Sequence, residues 1–211
     1  MQIQQNASDL FLDDVHRLLN LEQQSSTLFT TLLSLEPLSE SEQQEILQIR
    51  DDYWHYFSAG KIYEGLVKLI AIAPLMRLAG FYKHPIEIRL EEKIADIDIQ
   101  DEDTKITGRM DILAINKTKP TMGVPFWILI VETKNSLAEA FAGLPQLLTY
   151  AYKSLENQES VWGLTTNGLR YQFVYLQQGN PPTYQLLPEL NLIDTERSLQ
   201  LLQVLKAICK L

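Results

Sequence analysis

Asp111, Glu132 and Lys134 stand at the ends of two apolar stretches, at a spacing that can assemble a cation site. Residues 105–115 (KITGRMDILAI) and 125–131 (PFWILIV) have the β-branched and aromatic content of strands. Between them, residues 116–124 (NKTKPTMGV) supply the Asn, Pro, Gly and Thr of a turn. Folding the strands as an antiparallel hairpin about Thr121 and Met122 sets Asp111 opposite Glu132. Opposed Cα atoms lie about 4.5 Å apart in a non-hydrogen-bonded pair and about 5.5 Å in a hydrogen-bonded one, so the two carboxylates repel. A hard divalent cation removes that repulsion, because its preferred ligands are carboxylate oxygens. Lys134 lies two residues beyond Glu132, and strand alternation puts its ammonium on the same face.

The surrounding segments extend this pattern in a fixed order. Upstream are residues 63–70 (YEGLVKLI), then Pro74-Leu75-Met76 and Ala79-Gly80-Phe81; downstream are Gln146-Leu147-Leu148-Thr149-Tyr150 and residues 162–168 (WGLTTNG). The succession resembles the PD-(D/E)XK nuclease superfamily over roughly residues 60–176, in particular the N-terminal nuclease domain of type I restriction enzyme R subunits. Asp111 matches the first acid of that motif, with Met110 where proline is usual, and Glu132-Thr133-Lys134 matches the second element. Glu64 matches the acid of the opening helix, and Gln146 with Tyr150 matches a Q-x-x-x-Y helix element.

What the resemblance implies is a restriction endonuclease-like α/β fold, with a mixed central sheet flanked by helices. The implied activity is metal-dependent phosphodiester hydrolysis of DNA, in a defence, restriction or repair setting. Asp111, Glu132, Lys134 and Glu64 would be catalytic. Mg2+ or Mn2+ would be held by Asp111, Glu132, the Thr133 backbone carbonyl and Glu64. Gln146, Tyr150 and Arg109 would position substrate. The same resemblance admits a catalytically silent module that keeps the fold to bind nucleic acid or a protein partner.

A chain of 211 residues with 45% hydrophobic content can bury a sizeable core. Its single cysteine, Cys209, excludes an internal disulfide and fits a reducing compartment. His16, His55 and His84 show no zinc-ligand spacing. Neither a signal peptide nor a stretch able to span a bilayer is evident, so a cytoplasmic protein with no membrane partner is expected. The formal charge of −9 opposes nonspecific nucleic-acid binding. That charge is unevenly spread: residues 1–58 hold ten acids against Arg17 and Arg50, whereas residues 105–134 hold five bases against Asp111 and Glu132.

Residues 1–58 therefore read as an acidic helical appendage, and residues 59–211 as the nuclease-like core. In the appendage, Ser8 or Asp9 is expected to cap a helix through Phe11, Val15, Leu18 and Leu19 that resumes at residues 28–33 and breaks at Pro37. Ser39 and Glu42 form a capping box for a second helix through Ile46, Ile49, Tyr53, Trp54 and Phe57. This pair reads as a helical hairpin packed on the core, or as a docking surface for a second copy or a partner subunit. A helix over 60–78 meets Pro74, which kinks or ends it. Residues 86–99 contain strands and residues 100–103 an acidic turn. Ser136 is expected to cap the helix carrying Gln146. Asn167-Gly168 favours a two-residue hairpin turn, and residues 189–211 close the chain as a helix.

Overall fold

The computed structural model describes residues 3–94, 96–99, 103–121 and 124–211. In chain order its elements are β1 (Ile3–Asn6), α1 (Leu12–Leu19), β2 (Glu22–Gln23), α2 (Phe29–Leu32) and α3 (Glu40–Ala59). There follow α4 (Glu64–Val67), a π-helical turn (Lys68–Ile72), α5 (Ala73–Ala79), β3 (Ile86–Lys93), β4 (Ile97–Ile99) and β5 (Thr104–Thr107). The remainder comprises β6 (Arg109–Thr121), β7 (Val124–Thr133), a 3-10 turn (Ala140–Gly143), α6 (Leu144–Ser154), β8 (Ser160–Thr166), β9 (Arg170–Gln177), β10 (Thr183–Leu186), β11 (Leu190–Asn191) and α7 (Thr195–Cys209). The main sheet has the order β2-β10-β9-β8-β7-β6-β3, with β11 on β9; a small sheet has the order β1-β5-β4. The protein is a mixed α/β fold with a mixed central sheet flanked by helices. Most neighbours are antiparallel, but β7 and β8 run parallel, joined by the crossover through α6.

Each face of the sheet carries its own core. One face buries Ile112, Ala114, Leu129 and Val131 under α3, α5 and α7, through Ile49, Tyr53, Leu75, Leu201 and Leu205. The other buries Leu113, Ile115 and Ile130 under α6 and α1, through Leu147, Tyr150, Val15 and Leu18. Central strands covered on both faces read as continuous apolar runs, as residues 128–131 do.

The β6–β7 hairpin has the expected register where it matters. Ile112, Leu113 and Ala114 face Val131, Ile130 and Leu129, and one step further sets Asp111 against Glu132. The anticipated long turn over residues 116–124 is instead mostly strand. The strands run on to Thr121 and restart at Val124, with a register shift on either side of Asn116 that absorbs the irregularity. The turn point at Met122 lies outside the described residues, as do residues 100–102 of the acidic turn expected at 100–103.

The N-terminal helices do not form a hairpin. Asn20 in the left-handed conformation (φ 48°) ends α1, and Leu21 then turns into the core. A 3-10 turn capped by Asn6 precedes α1, in place of a Ser8 or Asp9 cap. The Ser39 capping box forms as expected, with the Ser39 N–H on Glu42 Oε2 at 2.8 Å and the Glu42 N–H on Ser39 Oγ at 3.3 Å. α1 lies against α6 and α3 against α7, on opposite faces of the sheet. Glu36, Glu42 and Glu45 pair with Lys210, Lys206 and Arg77, so part of the N-terminal surplus of acid fastens this segment to the rest of the chain. Tyr53 seals the contact: its hydroxyl donates to the Asn167 carbonyl at 3.1 Å, and its ring fills the space over Gly168, where a Cβ would lie 2.6 Å away.

Other local expectations are also corrected. Ser136 does not cap a helix; its Oγ accepts the Ile62 N–H at 2.9 Å, and Pro145 enters α6 in the first turn. The β8–β9 loop is longer than a two-residue turn, because the Asn167 side chain accepts both the Leu169 and the Arg170 N–H groups. Residues 189–194 form β11 and a cap before α7 begins.

Ile46→Ala empties a fully buried position shared by α3 and the sheet-side core. It should destabilise the whole chain by about 2–5 kcal/mol, in one cooperative denaturant transition. A biphasic curve whose second step is unshifted would show that residues 3–58 fold as a separate unit.

Candidate active site

Asp111 and Glu132 sit where β6 and β7 begin to part, and both are buried. The Thr133 N–H and Oγ–H both donate to Asp111 Oδ2, at 2.7 and 2.6 Å. The site therefore begins as a strand acid clamped by the residue that follows Glu132. The row continues across the sheet: Thr165 faces Glu132 from β8, and Glu91, flanked by the pairs Leu90–Ile112 and Glu92–Met110, lies beside Asp111 on β3. Glu91 has a left-handed backbone (φ 53°). Such a conformation costs a residue with a Cβ about 1–2 kcal/mol, and it breaks the alternation of β3 at the point where its carboxylate meets the site.

The helix acid arrives indirectly. Glu64 Oε1 lies 3.0 Å from Lys68 Nζ, and that ammonium donates to Asp111 Oδ1 at 2.8 Å and reaches Glu91 Oε1 at 3.5 Å. Glu64 is thus paired with Lys68 and also tied to Asp111 through it. As placed, Glu64 faces Lys68 rather than the open side of the Asp111–Glu132 pair, and among the described residues no group of three or more His, Cys, Asp or Glu is placed to hold a metal ion. Lys68 owes its position to the π turn. The Ala73 N–H bonds the Lys68 carbonyl five residues back, and the widened turn precedes Pro74, which has no N–H to offer. Burial pulls the Lys68 pKa down, but the hydrogen bonds and charges of Asp111 and Glu64 outweigh it, leaving it above the ordinary lysine value.

Lys134 is held from two sides, by Glu132 Oε1 at 3.0 Å and Gln146 Oε1 at 3.2 Å. The Gln146 amide donates to the Tyr150 hydroxyl at 2.9 Å, which also accepts the Arg109 N–H at 3.1 Å. The i,i+4 pair on α6 therefore reaches the site as expected, with a different task for Tyr150. It is 1% exposed, and its hydroxyl fixes Gln146 and the start of β6. The Arg109 side chain is half-exposed and turned toward Glu91 at 3.8 Å. Gly143 completes the packing, since a Cβ there would stand 3.0 Å from Glu132 Cγ. Lys68, Glu91 and Gly143 were missed as site residues. Only Lys68 left a signal, its i,i+4 relation to Glu64.

Two buried polar atoms have no partner among the described residues: Glu132 Oε2 and the hydroxyl of Thr165, its neighbour across the ladder. Asp111 Oδ2 already accepts two hydrogen bonds, but Oδ1 accepts only the Lys68 donor and keeps a lone pair. Asp111 Oδ1 and Glu132 Oε2 are therefore the oxygens left to a cation. Burial, then the neighbouring charge of Asp111, pushes the Glu132 pKa up to about 8, against the pull of Lys134. An uncompensated negative charge in this corner is what a divalent ion would relieve.

The basic character of residues 105–134 does not survive folding as a free surface. Lys105 pairs with Asp96 at 2.6 Å, Lys117 with Glu87, and Lys119 with the Leu211 carbonyl. Beside Lys68 lies an apolar hollow of about 620 Å³, lined by Leu69, Met76, Phe81, Tyr82, Ile88 and Leu90. Among the described residues, no helix is long and apolar enough to cross a membrane.

The raised Glu132 pKa has a definite sign in stability. Between about 4.5 and about 8 the folded protein keeps a proton that the unfolded chain has lost. Stability of the metal-free protein should therefore fall as pH rises through that window, by roughly 3–5 kcal/mol from this group. Denaturant unfolding in chelator at pH 5–8 measures the slope. Glu132→Gln should flatten it, and an unchanged slope would show that Glu132 is not the titrating group.

No family model matches the chain, and no curated protein matches it.

Proposed function

We propose that the chain is a divalent-metal-dependent nuclease of the restriction endonuclease-like fold, hydrolysing phosphodiester bonds in DNA. The observation that carries this reading is the buried, unpartnered Glu132 Oε2 beside Asp111, with Lys134 hydrogen-bonded to the other oxygen of the same carboxylate. Asp111 Oδ1, Glu132 Oε2 and the Thr133 carbonyl would hold Mg2+ or Mn2+, whose chemistry when bound is to polarise a phosphoryl oxygen and acidify a water.

The protein's own groups supply the rest. Thr133 presents Asp111 in one orientation through two hydrogen bonds to a single oxygen. The Lys134 ammonium has three N–H donors and directs two of them to Glu132 and Gln146, leaving the third for an attacking water or a phosphoryl oxygen. In that place it orients the nucleophile and stabilises the negative charge that grows on the phosphorus-bound oxygens. Gln146, braced by Tyr150, keeps the ammonium aimed. DNA enters the proposal through the phosphodiester chemistry of the site, since the nearby lysines are largely paired within the fold.

Incubation of plasmid DNA with Mg2+ or Mn2+ should give nicked or linear product, and chelator should prevent it. Asp111→Asn and Glu132→Gln should lose metal affinity and cleavage together. Lys134→Met should keep or tighten Mn2+ binding, read by calorimetry, while cleavage drops about 10²-fold or more. Absence of cleavage of either plasmid or single-stranded DNA by a wild type that binds Mn2+ would favour the silent binding module. Equal cleavage by Lys134→Met would remove Lys134 from the mechanism.

Tyr150→Phe should separate positioning from contact. It deletes the oxygen that accepts from Gln146 and Arg109, so kcat should fall while KM for DNA stays near the wild-type value. A rise in KM with unchanged kcat would mean that Tyr150 binds substrate after all.

A further inference from the structure

Lys68 is a charged group at the centre of the site to which the hydrolytic reading gives no task. Its ammonium faces three carboxylates from three elements: Asp111 at 2.8 Å, Glu64 at 3.0 Å and Glu91 at 3.5 Å. Three acid oxygens around one small cation form the kind of donor set a hard divalent ion takes, and an ammonium matches it with three N–H donors. The acids stand at the contact distances of an ammonium, wider than the about 2.0–2.6 Å of Mg2+ or Ca2+ ligands, and as placed they form no metal-holding group. Glu64 and Glu91 have side chains 44% and 55% exposed, so both are free to close on a smaller centre.

Two structural irregularities converge on this contact. The π turn begins at Lys68, and the left-handed residue of β3 is Glu91. Backbone departures of these kinds persist where the surroundings hold them and concentrate at functional sites. Charge balance points the same way. With Glu132 ionised, as ligation of a cation would leave it, Glu64, Glu91, Asp111 and Glu132 face Lys68, Lys134 and Arg109, and one negative charge is in excess. A single divalent ion reverses that excess to one positive charge, whereas a second would pile up positive charge that nothing in the cluster offsets.

We propose that the Lys68 ammonium is a built-in cation filling a second carboxylate pocket, formed by Glu64, Glu91 and Asp111, so that this centre takes up one fewer divalent ion than its acids could hold. The inference rests on reading Asp111 and Glu132 as the site of the first ion. Lys68 is then a positioning residue: it holds Asp111 Oδ1 toward that ion and supplies the positive charge that a second ion would bring.

Counting Mn2+ bound to the full chain tests this, by paramagnetic resonance titration with calorimetry alongside. Lys68→Met should bind one more Mn2+ than the wild type, and Lys68→Arg the same number as the wild type. Adding Glu91→Gln to Lys68→Met should abolish the extra ion. Equal stoichiometry in wild type and Lys68→Met overturns the proposal, and so does an extra ion that survives Glu91→Gln. A wild type that binds none beside a Lys68→Met that binds one would remove the Asp111–Glu132 reading and leave the Lys68 pocket standing. If Lys68→Met does not fold, the ammonium signals of 15N-lysine-labelled wild type decide. A Lys68 signal that persists at saturating Mg2+ supports a filled pocket, and its loss on Mg2+ addition overturns it.

Discussion

Two carboxylates placed side by side on neighbouring strands, out of water, are tolerated only if something else in the fold supplies protons, donors or positive charge. Asp111 and Glu132 impose that demand, and much of the local structure answers it. The Thr133 backbone and hydroxyl take one oxygen of Asp111, Lys68 takes the other, and Lys134 takes one oxygen of Glu132. Each donor arrives from a different direction: within β7, from the helix over one face, and from beyond the end of β7. Glu132 Oε2 is the remainder of this accounting, and the lifted Glu132 pKa is its electrostatic expression.

The supports behind these donors are built from backbone exceptions and small residues. Lys68 reaches Asp111 from a π turn, which lies immediately before Pro74 in the helix. Gly143 gives the 3-10 turn room to lie against the Glu132 stem. Gly108 does the same for Tyr150, whose ring would stand 2.6 Å from a Cβ there. The cost of these arrangements falls on propensity, and the two cores covering the sheet supply the stability that carries them.

The hairpin carrying Asp111 and Glu132 was readable from spacing alone, because a two-residue period admits few registers once one face must be buried. The Gln146–Tyr150 pair was readable for the same kind of reason, helical spacing of four. What spacing cannot convey is burial of an individual side chain: the Tyr150 hydroxyl lies inside the fold, accepting from the Gln146 amide and the Arg109 N–H. Glu91 escaped notice because its part depends on a left-handed residue inside a strand, which no alternation pattern announces. Residues 116–121 read as turn from their Asn, Thr and Pro, yet pairing with β7 and β3 overrode that local preference. The short strands β1, β2, β10 and β11 left no periodic trace, being two to four residues long and completed by distant partners.

Those short strands bear on how the chain reaches this structure. β1 pairs in parallel with β5, joining Ile3 to Thr104, and β2 pairs in parallel with β10, joining Glu22 to Thr183. On a ribosome, residues 3–23 are made long before either partner exists: β1 must wait for β5 of the small sheet, and β2 for β10, after most strands of the main sheet have been synthesised. Long-range parallel pairing closes large loops and is correspondingly slow. The two waiting strands are mostly polar, β1 reading Ile-Gln-Gln-Asn with all four residues exposed and β2 reading Glu-Gln. The strands themselves therefore offer few apolar side chains to edge-to-edge pairing during the delay. Each of the two sheets would thus gain one of its edges late, from residues 3–23.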